Sequence, residues 1–155
     1  MKSLVVYVTH KGNTQRVAET IGEVLRQHGT ADVLPVDEAP SVLEADVDLF
    51  VLGGPTEGHG MTPEQRAYLD RLDVSTFRGR AAAAFDTRIN WPRLLSGSAA
   101  EGIAKRLREI GARVIEPEGS FIVNTEPALL DGELQRAATW AAEIAAGVEL
   151  AATPA

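Results

Sequence analysis

Ser3-Leu4-Val5-Val6-Tyr7-Val8-Thr9-His10-Lys11-Gly12-Asn13-Thr14 is the stretch on which the fold turns. Residues 3–8 are almost continuously apolar and largely β-branched. Such a run reads as a strand buried on both faces, as in parallel sheets. Gly12-Asn13-Thr14 breaks it. Over 15–28 the apolar residues Val17, Ile21, Val24 and Leu25 then fall on one helical face. Asn13 or Thr14 is the expected N-cap and Gly29 the expected stop.

The same alternation continues outward. Strands are predicted at 31–36, 47–52 and 81–85. A fifth lies at 112–115 and 120–123, interrupted at Pro117-Glu118-Gly119. Helices are predicted at 63–72, 97–110 and 134–148, the last with Leu134, Ala138, Ala141, Ile144 and Val148 inward. A short helical or irregular link occupies 39–45. Strands alternating with helices imply an α/β fold, a doubly wound five-stranded parallel sheet in three α/β/α layers. The 155 residues suit one domain, expected over 1–150 with a frayed tail at 151–155.

Composition narrows the function. A net charge of -7 argues against binding bulk nucleic acid or an anionic membrane. The absence of cysteine removes disulfides, thiolate zinc sites and thiol nucleophiles. The apolar run at 3–8 is too short for a signal or membrane segment, so a cytoplasmic protein is expected.

Ligands on doubly wound sheets sit at the carboxyl ends of the strands. Three loops are therefore expected to carry the chemistry. The first is Thr9-His10-Lys11-Gly12-Asn13-Thr14. Hydroxyls, a glycine and helix N-terminal N–H groups make an anion cradle there, with phosphate as its natural ligand. An ordinary capped helix start explains the same residues as well. His10 is expected to face solvent. The second loop, residues 53–63, holds Pro55, Thr56, Glu57, Gly58, His59 and Gly60, and its glycines permit close approach of backbone to a flat ligand. The third, residues 86–96, holds Asp86, Thr87, Arg88, Asn90 and Trp91. Trp91 is its one aromatic candidate for a stacking platform, while Trp140 is assigned to the core. Ser96-Gly97-Ser98 reads as a helix cap.

The segment from Val5 to Thr14 resembles the phosphate-binding segment of flavodoxins, usually T-x-T-G-N-T or S-x-T-G-N-T. Lys11 stands where the family commonly has threonine. Gly54-Pro55-Thr56, Gly60-Met61 and residues 68–72 are similar to the matching stretch of flavodoxin-like quinone reductases. The resemblance covers nearly the whole chain and is of the short-chain type. It implies a flavodoxin-like fold and FMN as cofactor. It also implies a flavin ring between the second and third loops, and a Gly58–His59 peptide able to flip toward a reduced flavin. Trp91 lies near the family's stacking tyrosine, which is missing here.

Other chemistries on this topology fit less well. A receiver domain needs clustered aspartates after the first strand, and a small phosphatase needs cysteine. The expected function is therefore FMN-dependent electron transfer between a reductase and an acceptor. An electron carrier is favoured over a self-sufficient oxidoreductase. Its transient redox partner would present a basic docking face, and Glu57 with the net charge would lower the flavin potential. Two alternatives stay open: an FMN-dependent NAD(P)H:quinone reductase, and a flavodoxin-like binding module that has lost FMN.

Overall fold

The computed structural model describes residues 1–152. Parallel strands β1 (Lys2–Tyr7), β2 (Thr30–Pro35), β3 (Leu49–Pro55), β4 (Ala81–Ile89), β5 (Arg113–Val114) and β6 (Gly119–Val123) form one sheet. The order is β2-β1-β3-β4-β5, with β6 also on β4. β5 pairs with the start of β4 and β6 with its end. They are two pieces of the expected fifth strand, split around Pro117. The chain winds to one side from β1 to β2 and to the other from β3 onward, so the switch point lies between β1 and β3.

Helices α1 (Asn13–Arg26) and α6 (Glu133–Ala152) cover one face. Helices α2 (Pro63–Arg71) and α5 (Ala99–Glu109) cover the other, and α3 (Val74–Phe77) and α4 (Arg93–Ser96) are single turns. β1 shows why its run is continuously apolar. Leu4, Val6 and Val8 enter one core and Val5 and Tyr7 the other, as the two-residue period of a strand requires. The alanines of β4 have an equally direct cause. Ala82 and Ala84 meet Ala100 and Ala104 on one side, while Ala81 and Ala83 share the other core with Ala137, Ala141 and Ala145. Small residues on strand and helices let the layers close without voids. Trp140 is buried against Phe85 and Phe121, and its indole N–H donates to the Pro117 carbonyl at 2.8 Å.

Several boundaries differ from expectation. β3 continues through Gly53-Gly54-Pro55, and β4 continues through Asp86-Thr87-Arg88-Ile89. These residues pair with one another across the sheet, from Gly53↔Phe85 to Pro55↔Thr87. The third loop thus begins at Asn90 rather than Asp86. The last helix runs to Ala152, so Ala151 and Ala152 are helical, and residues 153–155 of the expected tail lie outside the described residues. Ala137 rather than Ala138 is the fully buried residue of its second turn. Among the described residues, no helix is long and apolar enough to cross a membrane.

Candidate functional site

A cleft of about 270 Å³ opens at the carboxyl ends of β1, β3, β4 and β6. The first loop contributes His10, Lys11, Asn13 and Thr14, and the second Pro55, Thr56 and Glu57. The end of β4 contributes Thr87, Arg88 and Ile89. A fourth segment, Val123, Asn124, Thr125 and Pro127, closes it. Thr9, Gly12, Gly58, His59, Gly60, Asp86, Asn90 and Trp91 do not line this cleft.

The first loop is built to leave donors free. Gly12, at φ 89°, is the N-cap of α1, and no side chain caps the helix. This corrects the expectation of Asn13 or Thr14 as N-cap. Asn13 instead spends its side-chain amide on the Pro127 carbonyl at 2.8 Å. A helix start has N–H groups without intrahelical acceptors, here those of Asn13, Thr14 and Gln15. Thr9 Oγ1 accepts from the Gly12 N–H at 3.0 Å, which leaves its own proton available. Thr14 and Thr87 share one hydrogen bond between hydroxyls at 2.9 Å, so one proton of the pair remains unspent. Lys11 is exposed at the rim. Together these groups form a concave set of donors at the positive end of a helix dipole, which suits a phosphate.

His10 does more than face solvent. Its side chain is 32% exposed, and its two ring nitrogens contact Glu57 Oε2 at 2.6 Å and Glu64 Oε2 at 3.1 Å. The Glu57 hydrogen bond, followed by attraction to both carboxylates, holds the imidazole pKa above its ordinary value against partial burial. Glu64 is held below the usual carboxylate range by a bond to its own backbone N–H and one from Thr62, with His10 adding to these. The imidazole therefore ties the first loop to the second and to the start of α2.

The second loop ends in a tight hairpin. Glu57 and Gly60 exchange backbone hydrogen bonds at 2.9 and 3.2 Å, with Gly58 and His59 both at positive φ between them. That is a type I′ turn, and His59 is the unusual non-glycine occupant. Gly53 and Gly54 serve packing rather than ligand approach. A β-carbon on either would run into Phe85 or Gln65. Thr56 also departs from expectation. Its hydroxyl donates to Asp86 Oδ2 at 3.1 Å and accepts from the Ala99 N–H at 2.9 Å, so the residue lines the cleft but its hydroxyl is spent within the protein.

Asp86 is corrected most. It is wholly buried in β4, too deep to touch a ligand in the cleft. Trp91 stands 53% exposed, with Leu94 and Leu95 also exposed beside it. Ser98 caps α5 as expected, accepting from the Glu101 N–H at 3.3 Å. The missed wall at 123–127 has a readable cause. Asn124 Oδ1 accepts from the N–H groups of Glu126 and Ala128, an Asx-type turn straight after a strand. The Asn124-Thr125-Glu126-Pro127 cluster at the end of the last strand was the available signal.

Comparison with known proteins gives the same fold. A flavodoxin from the domain Archaea is similar at a TM-score of 0.80 and 24% identity, covering 96% of this chain and 99% of that one. Oxidised flavodoxin 1 from Bacillus cereus is similar at 0.76 and 21%, covering 93% and 97%. The rubredoxin oxygen:oxidoreductase of Desulfovibrio gigas matches at 0.77 and 19%, covering 96% of this chain but 36% of that one. No curated protein matches the sequence significantly. The flavodoxin family model matches residues 5–140, and so the chain belongs to the flavodoxin family, whose cofactor is FMN.

Proposed function

We propose that the cleft holds FMN with its phosphate on the first loop, and that the protein passes electrons between a reductase and an acceptor. The observation that carries this reading is the start of α1, which no side chain caps and which opens on the cleft through Asn13 and Thr14, with Thr87 facing Thr14. A side-chain cap would have spent at least one of those donors. The residues present therefore fit a phosphate monoester. A β-carbon on Gly12 would meet open space, so the glycine is there for its positive φ rather than for room.

When bound, FMN supplies the redox chemistry, and the chain supplies binding and electrostatics. Asn13 and Thr14 N–H groups with the Thr9 hydroxyl hold the phosphate, and Lys11 adds a positive charge. Pro55 to Glu57, Arg88, Ile89 and residues 123–127 enclose the rest. The Gly58–His59 peptide is the middle peptide of the type I′ turn. Its flip would return His59 to negative φ, so the change relieves rather than adds backbone strain. Trp91 would reach a ring only by swinging inward. Titration of the protein into FMN and into riboflavin tests the reading. FMN fluorescence is expected to be quenched at micromolar protein. Riboflavin, lacking the phosphate, is expected to bind about a hundredfold more weakly, the worth of roughly two charge-assisted hydrogen bonds. No quenching of FMN would sink the proposal.

One observation favours a second reading, an FMN-dependent NAD(P)H:quinone reductase. Among the described residues no Phe, Tyr or Trp lines the cleft, so the ring would keep a face open to a second flat ligand. Steady-state turnover of a quinone with NADPH, without added reductase, separates the enzyme from a carrier. For the carrier, the net charge of -7 favours a basic partner, and the reduction rate should fall as salt is added.

A further inference from the structure

Beneath the cleft, three segments distant in sequence meet on one buried carboxylate. Asp86 Oδ2 accepts from Thr56 Oγ1 at 3.1 Å, Ser98 Oγ at 2.7 Å and the Ala100 N–H at 3.0 Å. Its Oδ1 accepts from Ser120 Oγ at 2.6 Å. Every partner is a donor, and none carries a charge. Neutral side chains could have tied these segments together without the cost of burying a carboxylate. The bond to Ser120 shows what the acid adds. Because the Ser120 proton points at Asp86, its lone pairs are left to accept from Arg88 Nε at 2.8 Å.

Arg88 lines the cleft, and its guanidinium also donates to the carbonyls of Trp91 at 2.8 Å and Ile89 at 3.4 Å. A long cationic side chain at an open rim would ordinarily be free to turn to water. Here it is held at both ends of its fork. The alternation of β4 makes this possible. Asp86 and Arg88 project to one side, toward Ser120 on β6, while Thr87 between them projects to the other and meets Thr14. Arg88 also lies one residue beyond Thr87 along the strand and lines the same cleft.

We propose that Arg88, locked by Ser120 and Asp86, is a fixed positive charge against the flavin portion of bound FMN, and that it raises the flavin potential above what this acidic chain would otherwise set. The inference rests on FMN binding in this cleft. Reduction adds negative charge to the ring, and a nearby cation that cannot lose its proton favours that form. Asp86 lies behind the guanidinium and acts as a positioning residue. Its own opposing charge is the more distant of the two, so the cation prevails.

The test is a titration with dithionite against a reference dye, on FMN-loaded wild type, Arg88→Gln, Arg88→Lys and Ser120→Ala. FMN binding by each is established first by fluorescence quenching. Arg88→Gln is expected to shift the equilibrium against reduced flavin by on the order of tenfold, the effect of one charge at short range in a protein. Ser120→Ala keeps both charges but removes the Nε anchor of the guanidinium, and should shift it the same way by less. Arg88→Lys should recover most of the loss. A protein made less stable but otherwise unchanged would not move the potential. Bound FMN with an unmoved potential in Arg88→Gln overturns the inference alone. Failure of the wild type to bind FMN overturns the functional reading and the inference together.

Discussion

The first loop and the end of β4 look alike in sequence and behave oppositely in the fold. Both follow an apolar run, and both bring threonine and charged residues to the carboxyl edge of the sheet. At the first loop the donors of α1 are left open and the helix has no side-chain cap. At the end of β4 the polar groups are consumed by one another, with Asp86 taking hydrogen bonds from Thr56, Ser98, Ala100 and Ser120. A polar residue at a strand end offers hydrogen bonds to a ligand only where its capacity is unspent. Where every neutral or anionic acceptor is taken, as at Asp86, the residue is scaffold, however functional its position looks.

This contrast can be broken most forcefully at Asp86. Asp86→Leu leaves four donors without their acceptor and is expected to destabilise the apoprotein by about 3 kcal/mol or more, read from urea unfolding. A loss below about 1 kcal/mol would mean the acid is not the scaffold described here. In the first loop the balance should reverse. Thr9→Ala should cost only about 1 kcal/mol of stability but weaken FMN binding about tenfold, because the hydroxyl is held for the ligand. Equal losses of stability and affinity would erase the distinction between the two regions.

The reason one region was legible and the other was not lies in where the partners are. The strand, the Gly12 turn and the amphipathic spacing of Val17, Ile21 and Leu25 are local, so β1, α1 and the cradle between them could be read directly. The end of β4 depends on Ser98 and Ser120, respectively 12 and 34 residues away from Asp86. Nothing local says that Asp86-Thr87-Arg88 are strand residues with their polar needs met. The same holds for Trp91. A proline neighbour and polar surroundings placed it in a loop, correctly. Its absence from the cleft wall, with its backbone carbonyl held by Arg88, is a matter of contacts distant from that local pattern.

His10 sharpens the comparison at a finer scale. Its pKa is raised in the folded state, so the stability it contributes is complete below its ordinary value near 6.5. That stability is lost as the pH rises through the elevated folded value. Glu64 is lowered, so its share is present above its ordinary value of 4.5 and is lost as the pH falls through the depressed one. The clasp between the loops is therefore fullest in mildly acidic solution and loosens toward alkaline pH. Amide exchange at Glu57 to Gly60, corrected for intrinsic rates, should show declining protection above neutral pH. In His10→Gln that decline should vanish. An identical profile in the variant would remove the clasp. The smallest effect is expected at Trp91. Trp91→Ala should change stability by no more than about 0.5 kcal/mol and FMN affinity by no more than about threefold. A larger drop in affinity would show that the indole swings over the ring.

Gly97 ties the second loop to the third. It sits at φ 72°, and a side chain there would occupy the space taken by the backbone of His59. The tip of the second loop thus rests flush on a bare α-carbon at the far end of the third. A single methyl group added at Gly97 would have to push the His59 backbone aside, so the shape of the second loop is set in part by the absence of a side chain on the third.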